Sequence, residues 1–470
     1  MNDDEAELAK LGYAQQLRRE MRSFGSFALS FSVISILTGA VSLYGYGLQH
    51  GGPFEMTVGW PLVTVMTLLV ALSLAELASA YPTAGALYHW ASLLGGRGIG
   101  WVTAWLNLIG QVAVVAGVDY AFAEFLCASF DETRRSQVLL VYAVVLFSHG
   151  LLNHVGIRVV TILNELSAWY HLAGTAVLVG ALVWLAPLQP LPFLLKRFVG
   201  PEADGHTYPL YYACLIGLLQ AQWTFTGYDA SAHVSEETID ARQAAPRGIV
   251  NSVVVSGIAG FVMLVAITLA IGNLAEAAGA PNAFIFVLKH ALGGRLGSLL
   301  VYVVLGAMWF CGLSSVTSNS RMLFAFARDG GPPFSSSLAE VSDQYQTPAV
   351  AVWVCVVTAF VLAVWSQAYN VIVSISTIGL YAAYGLPIWL ALRARKSGRL
   401  TTGPWNLGRW STAINVAALI WIAFITVLFM LPPNERTGVT FAAVLVLLGG
   451  AWWLRARHGF RGPARLNSGP

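Results

Sequence analysis

Charged residues are scarce in this sequence. Asp, Glu, Lys and Arg together make up 10% of its 470 residues, whereas hydrophobic residues make up 57%. Because a soluble domain has a charged fraction of about 25%, this composition excludes an ordinary soluble globule. There are only four cysteines, Cys127, Cys214, Cys311 and Cys355, all in or beside apolar runs. Their spacing fits neither a metal site nor a disulfide framework.

The short motifs of common enzyme classes are also missing. The sequence contains no Gly-x-Ser-x-Gly elbow, no His-Glu-x-x-His zinc motif, no P-loop and no paired catalytic carboxylates. We therefore expect neither a membrane-embedded enzyme nor a nucleotide-driven pump. We expect no metal site, no organic cofactor and no nucleic-acid partner, with H⁺ or Na⁺ as the candidate coupling ions.

Long apolar runs dominate the chain instead. About twelve windows of roughly 20 residues occur, the length that crosses a bilayer as a helix. Residues 1–23 are polar, and the first apolar run is long enough to be a span rather than a cleaved signal peptide. We predict an all-α polytopic membrane protein, present as a monomer or weak dimer. The expected spans are 24–48, 56–80, 99–127, 136–152, 157–186, 211–233, 250–274, 296–326, 348–367, 369–392, 410–431 and 438–454.

The distribution of positive charge predicts the orientation. With the N-terminus inside, 19 of the 26 Lys and Arg residues fall in cytoplasmic segments and 7 in outer segments. Since cytoplasmic loops carry the excess of these residues, we expect a multi-pass protein of the inner or plasma membrane with both termini in the cytoplasm. Two further segments stand out. Ser235–Pro246 is polar enough for a cytoplasmic surface helix, and Pro281–Leu292 is an outer amphipathic stretch too short to span.

The sixth span is interrupted. It places Thr224, Thr226, Gly227 and Asp229 together at mid-membrane depth. Gly costs about 1 kcal/mol in a helix interior, and a carboxylate at that depth costs about 2.5–3.5 kcal/mol on insertion scales. Broken backbone survives in a bilayer only where protein or a cavity covers it. We predict that the helix breaks here and that its freed backbone groups bind a ligand.

The first span contains a matching Thr-Gly pair. Thr38-Gly39 and Thr226-Gly227 lie 188 residues apart, each early in a block of five spans. Paired interruptions at corresponding positions of two halves indicate an inverted-repeat transporter with a central site. The alternative is that these residues serve only in helix packing. Half-helix N-termini suit a carboxylate and freed carbonyls suit an ammonium, so two crossing breaks favour a zwitterion.

Three segments carry distinctive motifs: Ala75–Trp90 (A-E-L-A-S-A-Y-P-T-A-G-A-L-Y-H-W), Trp223–Thr238 and Ser318–Phe334. They resemble the amino acid–polyamine–organocation superfamily, in its amino acid/choline transporter branch, which includes GABA permeases. The resemblance implies a leucine-transporter-like fold with discontinuous helices 1 and 6, and alternating access. The implied parts are an N-terminal tail (1–23), two inverted five-span repeats (24–186 and 211–392), two extra spans (410–454) and a C-terminal tail (455–470).

The resemblance also suggests roles for single residues. Thr38 and Gly39 are similar to the family's carboxylate-binding segment, where the family usually has a second glycine in place of Leu37. Thr224, Phe225 and Thr226 match the unwound stretch whose carbonyls receive the amine. The stretch containing Ser314 and Ser315 resembles the sodium-binding segment of coupled relatives. His171 occupies the position at which proton-coupled members carry a lysine.

Several polar and aromatic residues have alternative interpretations. Asp229 can cap the inner half-helix or contact a substrate ammonium. His171 can handle protons or simply pack with its hydrogen bonds satisfied. Ser314 and Ser315 can bind sodium or bond back to the helix. Arg328 is expected to pair with Glu236 or Glu237 as a cytoplasmic gate. The candidate substrate-binding residues are Ile36, Leu37, Thr38, Gly39, Gln111, Thr224, Phe225, Thr226, Gly227, Tyr228, Asp229, Trp309 and Tyr381.

The leading functional prediction is a secondary transporter of a small zwitterionic amino acid such as GABA, coupled to protons or sodium. Within the same class, choline, a polyamine or another organic cation remains open, since no Lys or Arg lies at mid-span. An aromatic cage would suit a quaternary ammonium. A channel or a membrane sensor of the same fold is the other alternative. A channel predicts flux without saturable counterflow, and a sensor predicts binding without flux.

Overall fold

The structure, a computed structural model, describes residues 3–130, 134–201, 207–365 and 369–466. All regular secondary structure in these ranges is helical. They contain no β-strand, only an isolated bridge between Met21 and Thr238. The helices are α1 (Asp3–Lys10), α2 (Ser23–Ile34), α3 (Gly39–Ser42), α4 (Tyr44–His50), α5 (Trp60–Ala80), α6 (Ala86–Gly95), α7 (Arg97–Ser129), α8 (Arg135–Val155), α9 (Ile157–Leu185), α10 (Leu210–Gly217), α11 (Leu219–Thr224), α12 (Ala230–His233), α13 (Ala241–Leu269), α14 (Leu274–Gly279), α15 (Ala283–Arg328), α16 (Ser335–Leu338), α17 (Ala349–Trp365), α18 (Tyr369–Lys396), α19 (Ser411–Leu428), α20 (Glu435–Ala451) and α21 (Arg457–Gly459).

The predicted all-α polytopic fold is confirmed. Among the described residues, ten helical segments are long and apolar enough to cross a membrane. The other expected spans are the interrupted run over α10–α12 and the shorter apolar α17. The ends of two expected segments, 366–367 and 467–470, lie outside the described residues. The division into two inverted repeats stays a prediction.

The break in span 1 lies where α2 ends at Ile34. Ser35 adopts a left-handed conformation with φ of 39°, and its amide still donates to the Phe31 carbonyl at 3.0 Å. A left-handed residue cannot continue a right-handed helix, so the chain turns and restarts as α3 at Gly39. The interruption predicted at Thr38-Gly39 is confirmed.

The break in span 6 follows the end of α11 at Thr224. Gly227 has φ of +77°, a conformation that glycine adopts at little cost. A Cβ at this position would also meet the Val33 side chain at 2.3 Å, so α2 packs directly on the broken segment. The helix restarts as α12 at Ala230. The second predicted interruption is therefore also confirmed.

The packing of whole helices brings the two breaks together. Helix α2 packs against α9, α13 and α15, and α3 packs against α11. Helices α7 and α18 pack on each other along their lengths, and α18 also contacts α11. The broken spans are consequently enclosed by longer, continuous helices. This cover is what the bilayer requires of non-helical backbone.

The polar segment after α12 is not a surface helix, contrary to the expectation for Ser235–Pro246. A short 3₁₀ turn, Ser235–Glu237, is buried, and the N-terminal segment covers it. The amides of Glu20 and Met21 both donate to the Glu237 carbonyl. Phe460, near the other end of the chain, packs on Tyr88 of α6. Both terminal segments therefore lie on one face of the bundle, which we call the terminal face.

Candidate substrate site

The two breaks touch at Gly39 and Thr224. A Cβ built on Gly39 would lie 2.8 Å from the Thr224 Cα, Cγ2 and Oγ1 atoms. Gln220 ties the same segments together, because its Nε2 donates to the Ala40 carbonyl at 2.9 Å. The close approach requires glycine at position 39, since the facing atoms include rigid backbone. The contact defines the centre of the candidate site.

Two small cavities flank this contact, each of about 10 Å³, room for about one water molecule. Of the predicted substrate-binding residues, six line them: Thr38, Gly39, Thr224 and Thr226 in the first cavity, and Gln111 and Gly227 in the second. The remaining seven line neither cavity in this conformation. The centre is thus closed around a space smaller than an amino acid.

His171 lies beside the first break. Its Nε2 is 2.7 Å from the Ser35 hydroxyl, which in turn is 2.6 Å from the Thr38 hydroxyl. Its Nδ1 is 2.8 Å from the Ser167 carbonyl, an acceptor, so Nδ1 carries a proton and Nε2 is free to accept from Ser35. A neutral imidazole therefore satisfies both contacts. The coupling role of His171 stays a prediction.

The backbone of the second break is held by tyrosines from α18. The Tyr381 hydroxyl donates to the Phe225 carbonyl at 2.6 Å. The Gly227 amide donates to the Tyr384 hydroxyl at 3.2 Å. Phe225 itself packs on Trp60, with ring centroids 4.9 Å apart, and Tyr228 packs on Tyr384 at 5.2 Å. Helix α18 therefore holds the unwound segment, in addition to the bond from the Phe225 amide to the Ala221 carbonyl of α11.

We expect the Tyr381→Phe variant to be less stable by about 1–3 kcal/mol, because it leaves the buried Phe225 carbonyl without its donor. Tyr142→Phe is the matched control, since the Tyr142 hydroxyl donates to the Ala359 carbonyl at 2.8 Å away from the breaks. Thermal melting in detergent should show similar losses for both variants. Only Tyr381→Phe should also weaken substrate binding. Equal binding by the two variants would contradict a role for the Phe225 carbonyl in the site.

Asp229 does not cap the inner half-helix, so that interpretation is wrong. It occupies the N-cap position of α12, but its side chain accepts no hydrogen bond from the helix amides. Its Oδ1 instead accepts from the Tyr384 hydroxyl at 2.7 Å. Its Oδ2 lies 3.0 Å from His233 Nε2 and 3.4 Å from Asn107 Nδ2. These side-chain partners on three elements draw the carboxylate away from the start of α12.

A buried polar network extends from Asp229 to α15. Gln111 donates to the Asn107 amide oxygen at 2.7 Å and accepts from the Ser318 hydroxyl at 3.0 Å. It also lies 3.0 Å from His233 Nε2. Gln111 was predicted from the sequence, whereas Asn107, His233, Ser318 and Tyr384 were not. Asn107 and Gln111, like Asp229 and His233, are four residues apart, the spacing of neighbours on one helix face, which was the available signal.

Four other candidates lie off the centre or bond locally. Trp309 donates from Nε1 to the Ser148 hydroxyl at 3.1 Å, which directs it toward α8. The side chain of Leu37 faces Gly174 of α9. Ser314 and Ser315 both donate to the carbonyl four residues earlier, and Ser314 also lies 2.6 Å from Asn164 Oδ1. Sodium binding at the two serines stays a prediction.

Two buried ion pairs seal the terminal face. Arg328 donates to both Glu236 oxygens at 2.8 Å, and Arg321 donates to both Glu237 oxygens at 3.0 and 3.1 Å. Burial alone would raise the pKa of Glu236, but the charge and hydrogen bonds of Arg328 and the Ala84 amide hold that pKa below its usual range. The predicted partner of Arg328 is thus Glu236, and its role as a gate stays a prediction.

Further contacts tie the N-terminal segment to this seal. The Arg328 guanidinium lies 3.9 Å from the centre of the Tyr13 ring. Tyr13 and Tyr88 both donate their hydroxyls to the Asp329 carboxylate. Burial raises the pKa of Asp329, despite the attraction of Arg328. The terminal face is therefore closed by ion pairs, rings and the N-terminal segment together.

A vestibule opens at the opposite face. Helix α7 starts at the terminal face, where Arg97 contacts the Phe460 carbonyl, and its far end lines a cavity of about 440 Å³. The cavity reaches inward to Val41, two residues beyond Gly39. The segment expected to be amphipathic leads into α15, which kinks at Gly293, and its N-cap Asn282 and first residue Ala283 line the cavity. One face is thus closed by ion pairs, and the opposite face carries a cavity whose lining begins two residues after Gly39 in the chain.

Comparisons with known proteins agree with this architecture. Residues 24–452 match the family described as "Amino acid permease". The chain is 36% identical to the amino-acid permease BAT1 homolog of Oryza sativa subsp. japonica, over 97% of this chain and 95% of the relative. It is 35% identical to the amino-acid permease BAT1 of Arabidopsis thaliana, over 98% and 96%. It is 31% identical to an uncharacterized amino-acid permease of Schizosaccharomyces pombe, over 99% and 90%.

Proposed function

The chain belongs to the amino acid permease family, whose members are transporters rather than enzymes, and from this premise we propose that it moves a small zwitterionic amino acid across the membrane by alternating access. The observation that carries the proposal is the direct contact of two helix breaks at Gly39 and Thr224 in a closed centre. GABA represents the proposed substrate class.

The chemistry of the breaks supports a zwitterion. The first amides of a helix lack intrahelical partners and favour negative charge, so the restart of span 1 at Thr38-Gly39 is the proposed carboxylate end. The segment Thr224–Gly227 leaves the helical ladder and is the proposed amine end. The two ends are adjacent because Gly39 packs on Thr224. A ligand with both charges on a short frame fits this arrangement better than one with a single charge.

The sealed terminal face and the vestibule support alternating access. A transporter must close its site from one side while the other side is approachable. The ion pairs of Glu236 and Glu237 close one side, and the vestibule approaches from the other. With the orientation expected from Lys and Arg, the sealed side is the cytoplasmic side of the cell membrane. Coupling to H⁺ or Na⁺, with His171, Ser314 and Ser315 as candidates, is part of the proposal.

An organic cation such as choline or a polyamine is the second candidate substrate. The specific observation in its favour is the buried carboxylate of Asp229 beside the aromatic residues Tyr228, Tyr381 and Tyr384. A carboxylate and ring faces together suit a cation without its own carboxylate. A channel or sensor is less consistent with a closed centre and a sealed face.

A thermal-shift screen of the purified protein in detergent distinguishes these candidates. The panel comprises GABA, L-alanine, other amino acids, choline and spermidine, each with and without sodium at pH 5.5 and 7.5. A ligand at a hundredfold excess over its Kd stabilises the native state by about 2.7 kcal/mol. We expect stabilisation by the zwitterionic amino acids and none by choline or spermidine, which lack a carboxylate. Stabilisation by choline or spermidine alone would overturn the zwitterion proposal.

The gate role of Arg328 is tested by uptake kinetics. We expect Arg328→Ala to lower the initial rate of uptake, because removing one partner of a buried ion pair costs about 3–5 kcal/mol and here disfavours the state sealed at the terminal face. Lys10→Ala is the control, since the Lys10–Glu7 pair is exposed and contributes little. Unchanged KM and rate in Arg328→Ala vesicles would refute the gate.

A further inference from the structure

We propose that Asp229 and His233 together form a proton-binding site, and that the proton held between them is the one coupled to transport. The pair lies at the second break, and the inference rests on the proposed function because a coupling proton needs a transported substrate. It moves the coupling role from His171, the residue that resemblance suggests, to a histidine on the inner half of span 6. The geometry of the pair carries the proposal.

The proton count follows from the partners of the His233 ring. Its Nδ1 lies 3.0 Å from the Ala84 carbonyl oxygen, which can only accept a hydrogen bond, so Nδ1 carries a hydrogen. Its Nε2 lies 3.0 Å from Asp229 Oδ2. That second contact is a hydrogen bond only if one more proton is present, on Nε2 or on the carboxyl. Without it, a lone pair and a carboxylate oxygen face each other.

The charge of the pair gives the same result. A neutral imidazole beside a carboxylate carries one negative charge, and binding one proton brings the pair to zero. Asp229 is 1% exposed and His233 is 0% exposed. Among the described residues, no ion pair joins Asp229 to a lysine or arginine. An unpaired charge is costly in a buried membrane site, and binding one proton removes the net charge of the pair.

Gln111 offers His233 a second partner once the proton has left. Its Nε2 lies 3.0 Å from His233 Nε2, the same distance as Asp229 Oδ2. A neutral Nε2 accepts from Gln111, whereas a protonated Nε2 donates to Asp229. Loss of the proton therefore exchanges the partner of His233 between α12 and α7. Proton binding changes which helices are tied together, which is what coupling requires.

The pair is linked directly to the unwound backbone. Tyr384 donates its hydroxyl to Asp229 Oδ1 at 2.7 Å and accepts from the Gly227 amide at 3.2 Å. The Tyr384 side chain thus connects the Asp229 carboxylate to the backbone of the broken segment, and a change of charge on Asp229 acts on that connection. Gln111, the alternative partner of His233, lines the cavity beside Gly227. Substrate and proton would act on the same few residues.

The other charged groups around the pair are already bonded, and the other titratable groups beside it are the buried tyrosines Tyr228 and Tyr384. Helix α18 contributes Tyr384, and the turn at Ala84 is bonded to Glu236, whose partner is Arg328. Helix α15 contributes Ser318 and, one turn on, the Arg321–Glu237 pair. Helix α7 presents the amides of Asn107 and Gln111. Helix α2 presents the Ser30 hydroxyl, which bonds to Ser231, and α13 approaches α12 with Gly248. The Asp229–His233 contact is a hydrogen bond with the added proton, and the Gln111–His233 contact is one without it. The other buried pair, Asp119–His149 at 3.1 Å, is satisfied by a neutral imidazole with its hydrogen on Nδ1.

The experiment uses the full chain in liposomes and measures uptake of labelled GABA and L-alanine. An inward gradient of one pH unit drives about tenfold accumulation when one proton accompanies each substrate. We expect this accumulation from the wild type and none from His233→Gln, whose amide keeps hydrogen bonding but does not titrate. Counterflow exchange without a gradient, measured on the same liposomes, reports separately whether His233→Gln still binds and carries substrate. His290→Gln, an exposed control bonded to the Phe286 carbonyl, should keep the accumulation, and His171→Gln tests the competing assignment of the coupling proton.

The outcomes separate the inference from the proposed function. If His233→Gln accumulates substrate as strongly as the wild type, or if only His171→Gln loses accumulation, the assignment of the proton to this pair is overturned. The proposed transport function is unaffected by either result. Absence of saturable counterflow in the wild type for every amino acid tried would overturn both. If His233→Gln is not recovered folded, His233→Asn takes its place, because an Asn amide can still donate to the Ala84 carbonyl. Accumulation and counterflow by His233→Asn are then interpreted as described for His233→Gln.

Discussion

Replacing Gly39 with valine is expected to abolish transport with little loss of folded protein. A Cβ at position 39 would lie 2.8 Å from the Thr224 Cα, which is closer than a Cβ atom approaches a non-bonded atom in protein structures. The two breaks must then separate, and such overpacking costs about 1–3 kcal/mol, occasionally more. Separation of the two breaks changes the shape of the proposed substrate site, because one central cavity is lined by residues of both: Thr38, Gly39, Thr224 and Thr226.

The matched control for this variant is Gly449→Val in α20. A Cβ at Gly449 has no other atom within 4 Å, so the side chain is accommodated without movement. Both variants are compared with the wild type for expression, melting temperature and uptake of labelled GABA or L-alanine. Normal KM and rate in Gly39→Val would show that the contact of the two breaks does not shape the substrate site.

The Arg321→Ala variant is expected to be much less stable than the wild type. Arg321 and Glu237 are both 0% exposed, and the guanidinium also donates to Ser320 at 3.1 Å and Asn153 at 3.4 Å. Removing Arg321 leaves the carboxylate buried and uncompensated, which costs about 3–5 kcal/mol. The melting temperature in detergent should fall sharply.

A double variant separates the lost charge pair from the lost packing. Arg321→Ala combined with Glu237→Gln removes the uncompensated carboxylate, so part of the stability should return. If the double variant is no more stable than Arg321→Ala, the effect comes from the cavity left by the arginine. If Arg321→Ala melts like the wild type, the buried pair does not hold the terminal face closed.

The positions of the breaks could be predicted because they depend on local sequence. The Thr-Gly pairs within apolar runs are visible in a short window of sequence. A glycine in such a pair permits the left-handed conformation that Gly227 adopts in the structure. Span positions are equally local, since apolar length alone sets them. Ser35 is the exception. It takes the left-handed conformation in span 1, although a serine gives no such signal.

Apart from the pairs four residues apart, Asn107–Gln111 and Asp229–His233, the contacts of the site could not be predicted, because they join residues far apart in the chain. Tyr384 reaches Asp229 across 155 positions, and no pattern within either segment encodes that pairing. The capping role expected for Asp229 failed largely for this reason, since the distant Tyr384 and Asn107, together with His233 one turn on, outweighed the local helix amides. Ser235–Glu237 looked like a surface segment because the residues that bury it, near Met21, belong to the N-terminus. The polarity of a short segment does not reveal whether residues far away in the chain bury it.

Counterflow tests most directly whether the two breaks form the substrate site of a secondary transporter. Liposomes containing the protein are loaded with unlabelled GABA or L-alanine, diluted into trace labelled substrate, and followed over time. We predict a transient accumulation of label that saturates with substrate concentration and is absent in Gly39→Val. Flux that rises linearly without accumulation, or binding without any flux, would contradict the proposed transporter.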